Sequence, residues 1–215
     1  MSYENVNNQE PEEGLLALRH LVSVSPEFRK ISEKTGVLNV HSKDDTNIFF
    51  SLVRTVVGQM LSRSAARTIF SRLIDRLATG DILKPSDVQN SSIRILRECG
   101  LSKSKSTCIK EIADSVESGK IPELEKINGM SDEDIIKLLT KIKGVGRWTA
   151  EMIMIFELGR PDVMALGDIG VLRGYQKLKS GQRGRTLKSL QKISAKWKPY
   201  RSYAVLYLYR VTDEM

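Results

Sequence analysis

Gly144-Val145-Gly146, with Lys141 and Lys143 before it, Arg147 after it and Asp168 further on, is the stretch best suited to chemistry. A tight glycine turn running into a helix exposes backbone N–H groups beside the positive end of the helix dipole, an arrangement that takes a phosphate. Lys141, Lys143 and Arg147 add mobile positive charge beside those donors. Alone, a Gly-x-Gly is equally the corner of an ordinary helical pair, where glycine serves only to turn the chain. The basic flanks and the downstream aspartate favour the phosphate. Asp168, between Gly167 and Ile169-Gly170, stands at the start of a further helix and has the side chain of an N-cap.

The elements that must position these residues are helical. Ser131 can cap a helix with Asp134 reaching back to it, and Ile135, Leu138, Leu139 and Ile142 recur at helical spacing as far as Lys143-Gly144. A second helix, Arg147 to Phe156, stops near Gly159-Arg160-Pro161, and a third runs from Asp168 to Leu178. Upstream, Leu15 to Val22 and Glu27 to Glu33 predict two short helices, and Val37 to Val40 a brief extended run. Asp44-Asp45-Thr46 is placed to cap a helix over 47–61, whose Ile48, Phe49, Leu52, Val53, Val56, Val57 and Met60 form an apolar stripe. Further helices are predicted over 64–78, 85–99 and 104–118, then, after a basic turn (Lys179 to Gly184), over 186–197 and 200–211. No stretch alternates with period two, so the chain reads as all-α.

The 215 residues suffice for one domain or two small ones with a buried core. A hydrophobic content of 40% and a charged content of 28% are those of an ordinary globular chain, and no apolar run reaches membrane-spanning length. Residues 1–14 carry four acidic residues and no Lys or Arg. This tail is expected to be disordered, and it lacks the apolar stretch of a secretory signal. The net charge is +8, and outside the tail 34 basic residues stand against 22 acidic ones. That excess suits a polyanion; with no long basic amphipathic helix, a membrane surface is the weaker fit. Cys99 and Cys108 have no metal-like pairing and are expected to be reduced, helix-borne fillers. His20 and His41 are isolated and read as structural or surface histidines.

Ile142-Lys143-Gly144-Val145-Gly146-Arg147-Trp148-Thr149-Ala150, followed by Gly167-Asp168, resembles the helix-hairpin-helix DNA glycosylase superfamily. Within it the chain is most similar to the branch that removes alkylated bases, the 3-methyladenine DNA glycosylases. Val56-Val57-Gly58-Gln59-Met60-Leu61-Ser62, Gly100-Leu101-Ser102-Lys103-Ser104-Lys105 and Trp197-Lys198-Pro199-Tyr200-Arg201-Ser202-Tyr203 resemble further family segments in the same order. The resemblance implies an all-α, two-lobed helix-hairpin-helix glycosylase fold with a central cleft. One lobe would comprise 15–45 and 165–215 and the other 46–164, including the helix-hairpin-helix at 131–158. The activity implied is that of a monofunctional alkylbase DNA glycosylase, which hydrolyses the N-glycosidic bond of alkylated purines in duplex DNA. The alternative is a glycosylase-like protein that binds damaged or abasic DNA with little or no base excision.

A glycosylase must extrude its target nucleotide, which calls for an anchor, a plug, a base pocket and a group that stabilises the sugar cation. By resemblance, Lys143, Gly144, Val145, Gly146, Arg147 and Thr149 bind the DNA phosphates. The carbonyls of Thr140, Ile142 and Val145 are placed to hold a sodium or potassium ion. Gln59, Met60 and Ser62 form the duplex plug, and Gly100-Leu101-Ser102 is a second groove loop. Trp148 and Tyr200, with Met152 one turn after Trp148, line the pocket, where a cationic purine stacks on aromatic faces with a gain of about 0.5–2 kcal/mol. Met60 as the end of its helical stripe, and Trp148 as a core tryptophan, remain alternatives. Asp168 is the catalytic group, stabilising the oxocarbenium-like state or directing water. A cationic base leaves readily, so a second carboxylate is dispensable.

Trp148 occupies the place of the Schiff-base lysine of bifunctional relatives, so no lyase step is expected by that route. Apart from the alkali ion no cofactor is implied, since two cysteines cannot build a four-cysteine iron–sulfur cluster. The expected partner is double-stranded DNA with alkylated bases or abasic sites, bound by a monomer, with no membrane. The expected location is the nucleus, or the cytoplasm and nucleoid of a bacterium. The chain also departs from the family pattern. Gln59-Met60 stands where many members have paired glutamines, Ala165 where they tend to have proline, Leu172 where they have arginine, and Leu206 and Tyr209 where they have tryptophans.

Overall fold

Apolar residues at helical spacing make helices, and helices make nearly all of this chain. A computed structural model describes residues 11–42, 47–80, 82–178 and 186–213. In order these form α1 (Pro11–Val24), α2 (Phe28–Thr35), α3 (Ile48–Gly58), α4 (Arg63–Leu77), α5 (Pro85–Asn90), α6 (Ile93–Glu98) and α7 (Lys103–Glu117). There follow α8 (Leu124–Asn128), α9 (Asp132–Leu139), α10 (Arg147–Phe156), α11 (Ile169–Leu178), α12 (Leu187–Ser194), a 3-10 turn (Ala195–Trp197) and α13 (Arg201–Asp213). The only β feature among the described residues is an isolated bridge between Ser42 and Leu158, so the all-α expectation holds and 37–40 is no strand.

Several boundaries differ from the sequence reading. Residues 11–14 belong to α1, whose first turn carries Glu12 and Glu13 where carboxylates favour the helix dipole; the rest of the acidic tail lies outside the described residues. So do Asp44-Asp45-Thr46 and Lys179 to Gly184. Asn47 is the cap of α3, accepting the Phe49 N–H at 2.7 Å. The helix expected over 85–99 is two, because Ser91 ends the first segment as its C-cap and Ser92 caps the next by accepting from Ile95 N–H. Helix α8 was not anticipated. Helix α9 ends at Leu139, not at Lys143, although Ile142 continues its apolar spacing and is buried.

The chain forms two compact units, one over residues 43–153 and the other comprising the segments up to 42 and from 154 onward. The division falls inside α10, eleven residues before the boundary expected at 164/165. Residues beyond Met154 already belong to the second core: Leu158 pairs with Ser42, and the Phe156 ring lies 6.1 Å from that of Tyr209. In the first unit α3 buries Phe49, Leu52, Val53, Val56 and Val57 and packs on α7, whose Ile109 and Ile112 are buried. The second unit is built around Trp197, fully buried, whose indole N–H donates to Ser25 Oγ at 2.9 Å and whose ring meets Phe28 edge-on. Full burial of such side chains contributes about 1.5–3 kcal/mol each.

Candidate nucleic-acid interface and reactive carboxylate

In the first unit, Ser131 accepts the Asp134 N–H at 3.2 Å and donates its hydroxyl to Asp134 Oδ2 at 2.7 Å, fixing the start of α9. After Leu139 the chain tightens. The N–H groups of Lys141 and Ile142 return to Leu138 and Leu139, and that of Val145 bonds the Ile142 carbonyl at 3.0 Å. Gly144 has φ +94°, and a Cβ there would lie 2.8 Å from both Cβ and Sγ of Cys108, so glycine is required twice over. Gly146 is different: nothing lies within 4 Å of a Cβ added to it, and its backbone suits any residue. Its carbonyl accepts the Ala150 N–H at 3.2 Å, which makes it the N-cap of α10. The first turn of that helix has N–H groups with no acceptor inside the helix.

Lys141 and Lys143 are exposed, as expected of phosphate contacts. Arg147 is exposed but not mobile, because its Nε is held 3.0 Å from Oε1 of Glu151, a residue only 5% accessible. The Thr149 side chain is buried, and Oγ1 accepts a hydrogen bond from Gln59 Nε2 at 3.0 Å, which leaves its backbone N–H in the first turn of α10 as the group to meet a phosphate. Val145 and Ile142 turn their side chains into the core. Of the three carbonyls expected around an alkali ion, that of Ile142 already accepts from Val145 and keeps one lone pair.

The same bond redefines the plug. Gln59 is half-buried and ties the end of α3 to the first turn of α10; it does not project. Met60 projects. It is 88% exposed and holds φ +57°, the only non-glycine residue with positive φ among the described residues. Leu61 beside it is 41% exposed, so the tip is apolar over two residues. Ser62 caps α4, accepting the Ala65 N–H at 3.3 Å. Beneath the tip, Lys105 Nζ donates to the carbonyls of Val57 at 3.0 Å and Gln59 at 2.6 Å, and burial lowers its pKa below the ordinary lysine value. The sequence reading quoted Lys105 in a matched segment and gave it no role. In that segment Leu101 is buried, so the second groove loop has no apolar tip.

Trp148 is half-buried and Met152 is 6% accessible, both in the first unit. Tyr200, in the second, is half-buried, with its ring 5.6 Å from His20 and 5.8 Å from Tyr203. His20 Nε2 lies 3.0 Å from the Lys196 carbonyl, a structural contact.

Asp168, also in the second unit, is 8% accessible. Its N–H bonds the Ala165 carbonyl at 3.1 Å, closing the loop where the family tends to have proline, and Ala165 is fully buried. The carboxylate caps α11: Oδ1 accepts the Val171 N–H at 2.8 Å, and Oδ2 accepts the Tyr209 hydroxyl at 2.8 Å. A nearly buried carboxylate with both oxygens held is preorganised to act on positive charge developing beside it. Tyr209 escaped the sequence reading as a partner because it lies 41 residues away.

An all-α chain with a glycine hairpin, an apolar strained tip and a capped, buried aspartate defines the class of helix-hairpin-helix base-excision proteins. The profile of the HhH-GPD superfamily of base excision DNA repair proteins matches residues 53–199, and the chain belongs to that superfamily. It is 32% identical to DNA-3-methyladenine glycosylase 1 of Schizosaccharomyces pombe, over 90% of this chain and 85% of that one. It is 30% identical to alkylbase DNA glycosidase-like protein mag2 of the same organism, over 91% and 92%. Among solved structures it is similar to the S. pombe 3-methyladenine DNA glycosylase in complex with abasic DNA, with a TM-score of 0.84 and 32% identity over 93% of this chain and 97% of that one.

Proposed function

We propose that the protein is a monofunctional alkylbase DNA glycosylase that hydrolyses the N-glycosidic bond of alkylated purines in duplex DNA and leaves an abasic site. The observation that carries this reading is Asp168, a carboxylate 8% accessible at the cap of α11 and held at both oxygens, by the Val171 N–H and the Tyr209 hydroxyl. The hairpin around Gly144 and Gly146 takes the phosphates, with Lys141, Lys143 and the outer face of Arg147 beside it. Met60 and Leu61 fill the gap left by the extruded nucleotide; Trp148 and Met152 are the base-binding candidates of the first unit and Tyr200 that of the second. As the base departs, the Asp168 carboxylate faces a sugar cation. At about 4 Å and an effective dielectric near 20 their attraction is about 4 kcal/mol, roughly a thousand-fold in rate. The carbonyls of Thr140, Ile142 and Val145 would hold a sodium or potassium ion, supplying positive charge to the phosphate contact. The protein would act as a monomer on chromosomal DNA, in the nucleus or in a bacterial nucleoid.

The test is incubation with methylated duplex DNA and chromatography of freed 3-methyladenine and 7-methylguanine. Release lost in Asp168→Asn, with abasic-DNA binding retained, is the expected result. Binding without release by the unmodified protein would instead select the alternative, recognition of damaged or abasic DNA without excision.

A further inference from the structure

Two glycines one turn apart in α11 let α13 come unusually close. A Cβ at Gly174 would lie 2.2 Å from the Leu208 carbonyl oxygen. One at Gly170 would lie 2.9 Å from Tyr209 Cε1 and 3.0 Å from Asp168 Oδ1. The missing side chain of Gly170 is thus the space through which the Tyr209 ring reaches the aspartate, and Phe156 backs that ring at 6.1 Å. The phenol then donates to Oδ2 at 2.8 Å while the Val171 N–H holds Oδ1 at 2.8 Å. A carboxylate bonded at one oxygen can still rotate about Cβ–Cγ, because terminal torsions of this kind are broad. Bonds to both oxygens select one plane.

We propose that Tyr209 is a positioning residue for Asp168: its hydroxyl fixes the plane of the reactive carboxylate, and Gly170 admits the ring that carries it. The inference rests on Asp168 being the reactive group. Position 209 lies beyond the matched segment 53–199, and the tryptophan that resemblance suggests there has no hydroxyl to offer.

Tyr209→Phe removes the hydroxyl and keeps the ring against Phe156. Single-turnover release of 3-methyladenine from methylated duplex is expected to fall about ten-fold, as for one charge-assisted hydrogen bond. Affinity for an abasic-site duplex should not change. Gly170→Ala, which crowds the ring and also comes within 3.0 Å of Asp168 Oδ1, should slow release at least as much. Release by Tyr209→Phe at the unmodified rate would overturn the proposal alone. Release and abasic-DNA affinity falling together would also overturn it, since that marks a general structural role. An unmodified protein that binds abasic duplex and frees no base overturns the glycosylase reading and this one with it.

Discussion

The two glycines of the hairpin look alike in the sequence, and the structure gives them opposite jobs. Gly144→Ala forces an L side chain to φ +94°, which costs about 1–2 kcal/mol. It also places a methyl 2.8 Å from Cβ and Sγ of Cys108, an overpacking that costs about 1–3 kcal/mol. The sum, about 2–5 kcal/mol, corresponds to a fall in melting temperature of roughly 4–20 °C for a chain of this length. Cys108→Ala in the same chain removes the sulfur but neither the Cβ contact nor the backbone strain, so recovery should be partial.

Gly146→Ala meets nothing within 4 Å, so its cost is the difference between glycine and alanine at an N-cap, about 1 kcal/mol or less. Its effect should fall on DNA. A methyl on Gly146, at the N-cap of α10, would hold a phosphate away from the helix N–H groups. Losing one charge-assisted hydrogen bond of about 1.5–3 kcal/mol weakens binding by roughly ten- to hundred-fold. Melting curves and fluorescence anisotropy on an abasic duplex separate the two variants: one unstable, the other stable and weakly binding. Gly146→Ala binding DNA like the unmodified protein would refute the phosphate grip and leave Gly146 as a mere corner.

Three further outcomes are expected. Met60→Gly relieves the left-handed strain at φ +57° and should raise stability by up to about 1 kcal/mol, while 2-aminopurine fluorescence beside an abasic site shows less unstacking. Lys105→Met removes two donors from the end of α3 and should cost about 1–2 kcal/mol, with faster amide exchange over 58–61 and weaker wedge insertion. Burial pushes the Cys108 thiol up to about 11; a thiol with a raised pKa keeps its proton as pH rises through its ordinary value, so disulfide-reagent labelling at pH 8 should be negligible in the folded protein and should appear in Gly144→Ala.

Periodicity made the helices legible, and it failed where apolar spacing outlasts the helix. Met60 continues the stripe of α3, and Ile142 that of α9. One is thrown outward by a left-handed backbone and the other is buried in a turn, so both helices were read too long. The hairpin and Asp168 were visible because their chemistry is local: a turn, its cations, a cap. What holds them is not local. Gln59 reaches Thr149 across 90 residues, Lys105 reaches α3 across 46 and 48, and Tyr209 reaches Asp168 across 41. Adjacency to the hairpin says nothing of the Thr149 side chain, which is buried and bonded to Gln59. Arg147 was read as mobile because nothing in the spacing tells a solvated i, i+4 pair from one anchored on a buried glutamate.

The candidate site residues are also those where the chain breaks its own local rules. Met60 is an exposed apolar side chain in a backbone conformation it disfavours, Gly144 turns left-handed hard against a cysteine, and Asp168 is a nearly buried carboxylate. Such positions persist only when their surroundings over-determine them. Two of them are held by a residue of their own unit, the tip by Lys105 and the carboxylate by Tyr209, and Gly144 has Cys108 where a side chain would stand. Geometry set by side chains within one unit exists before DNA arrives, so on the proposed reading a duplex would meet a preformed wedge and an already oriented acid. Binding energy would then go into extruding the nucleotide instead of ordering the site, and loosening either support should cost function out of proportion to stability.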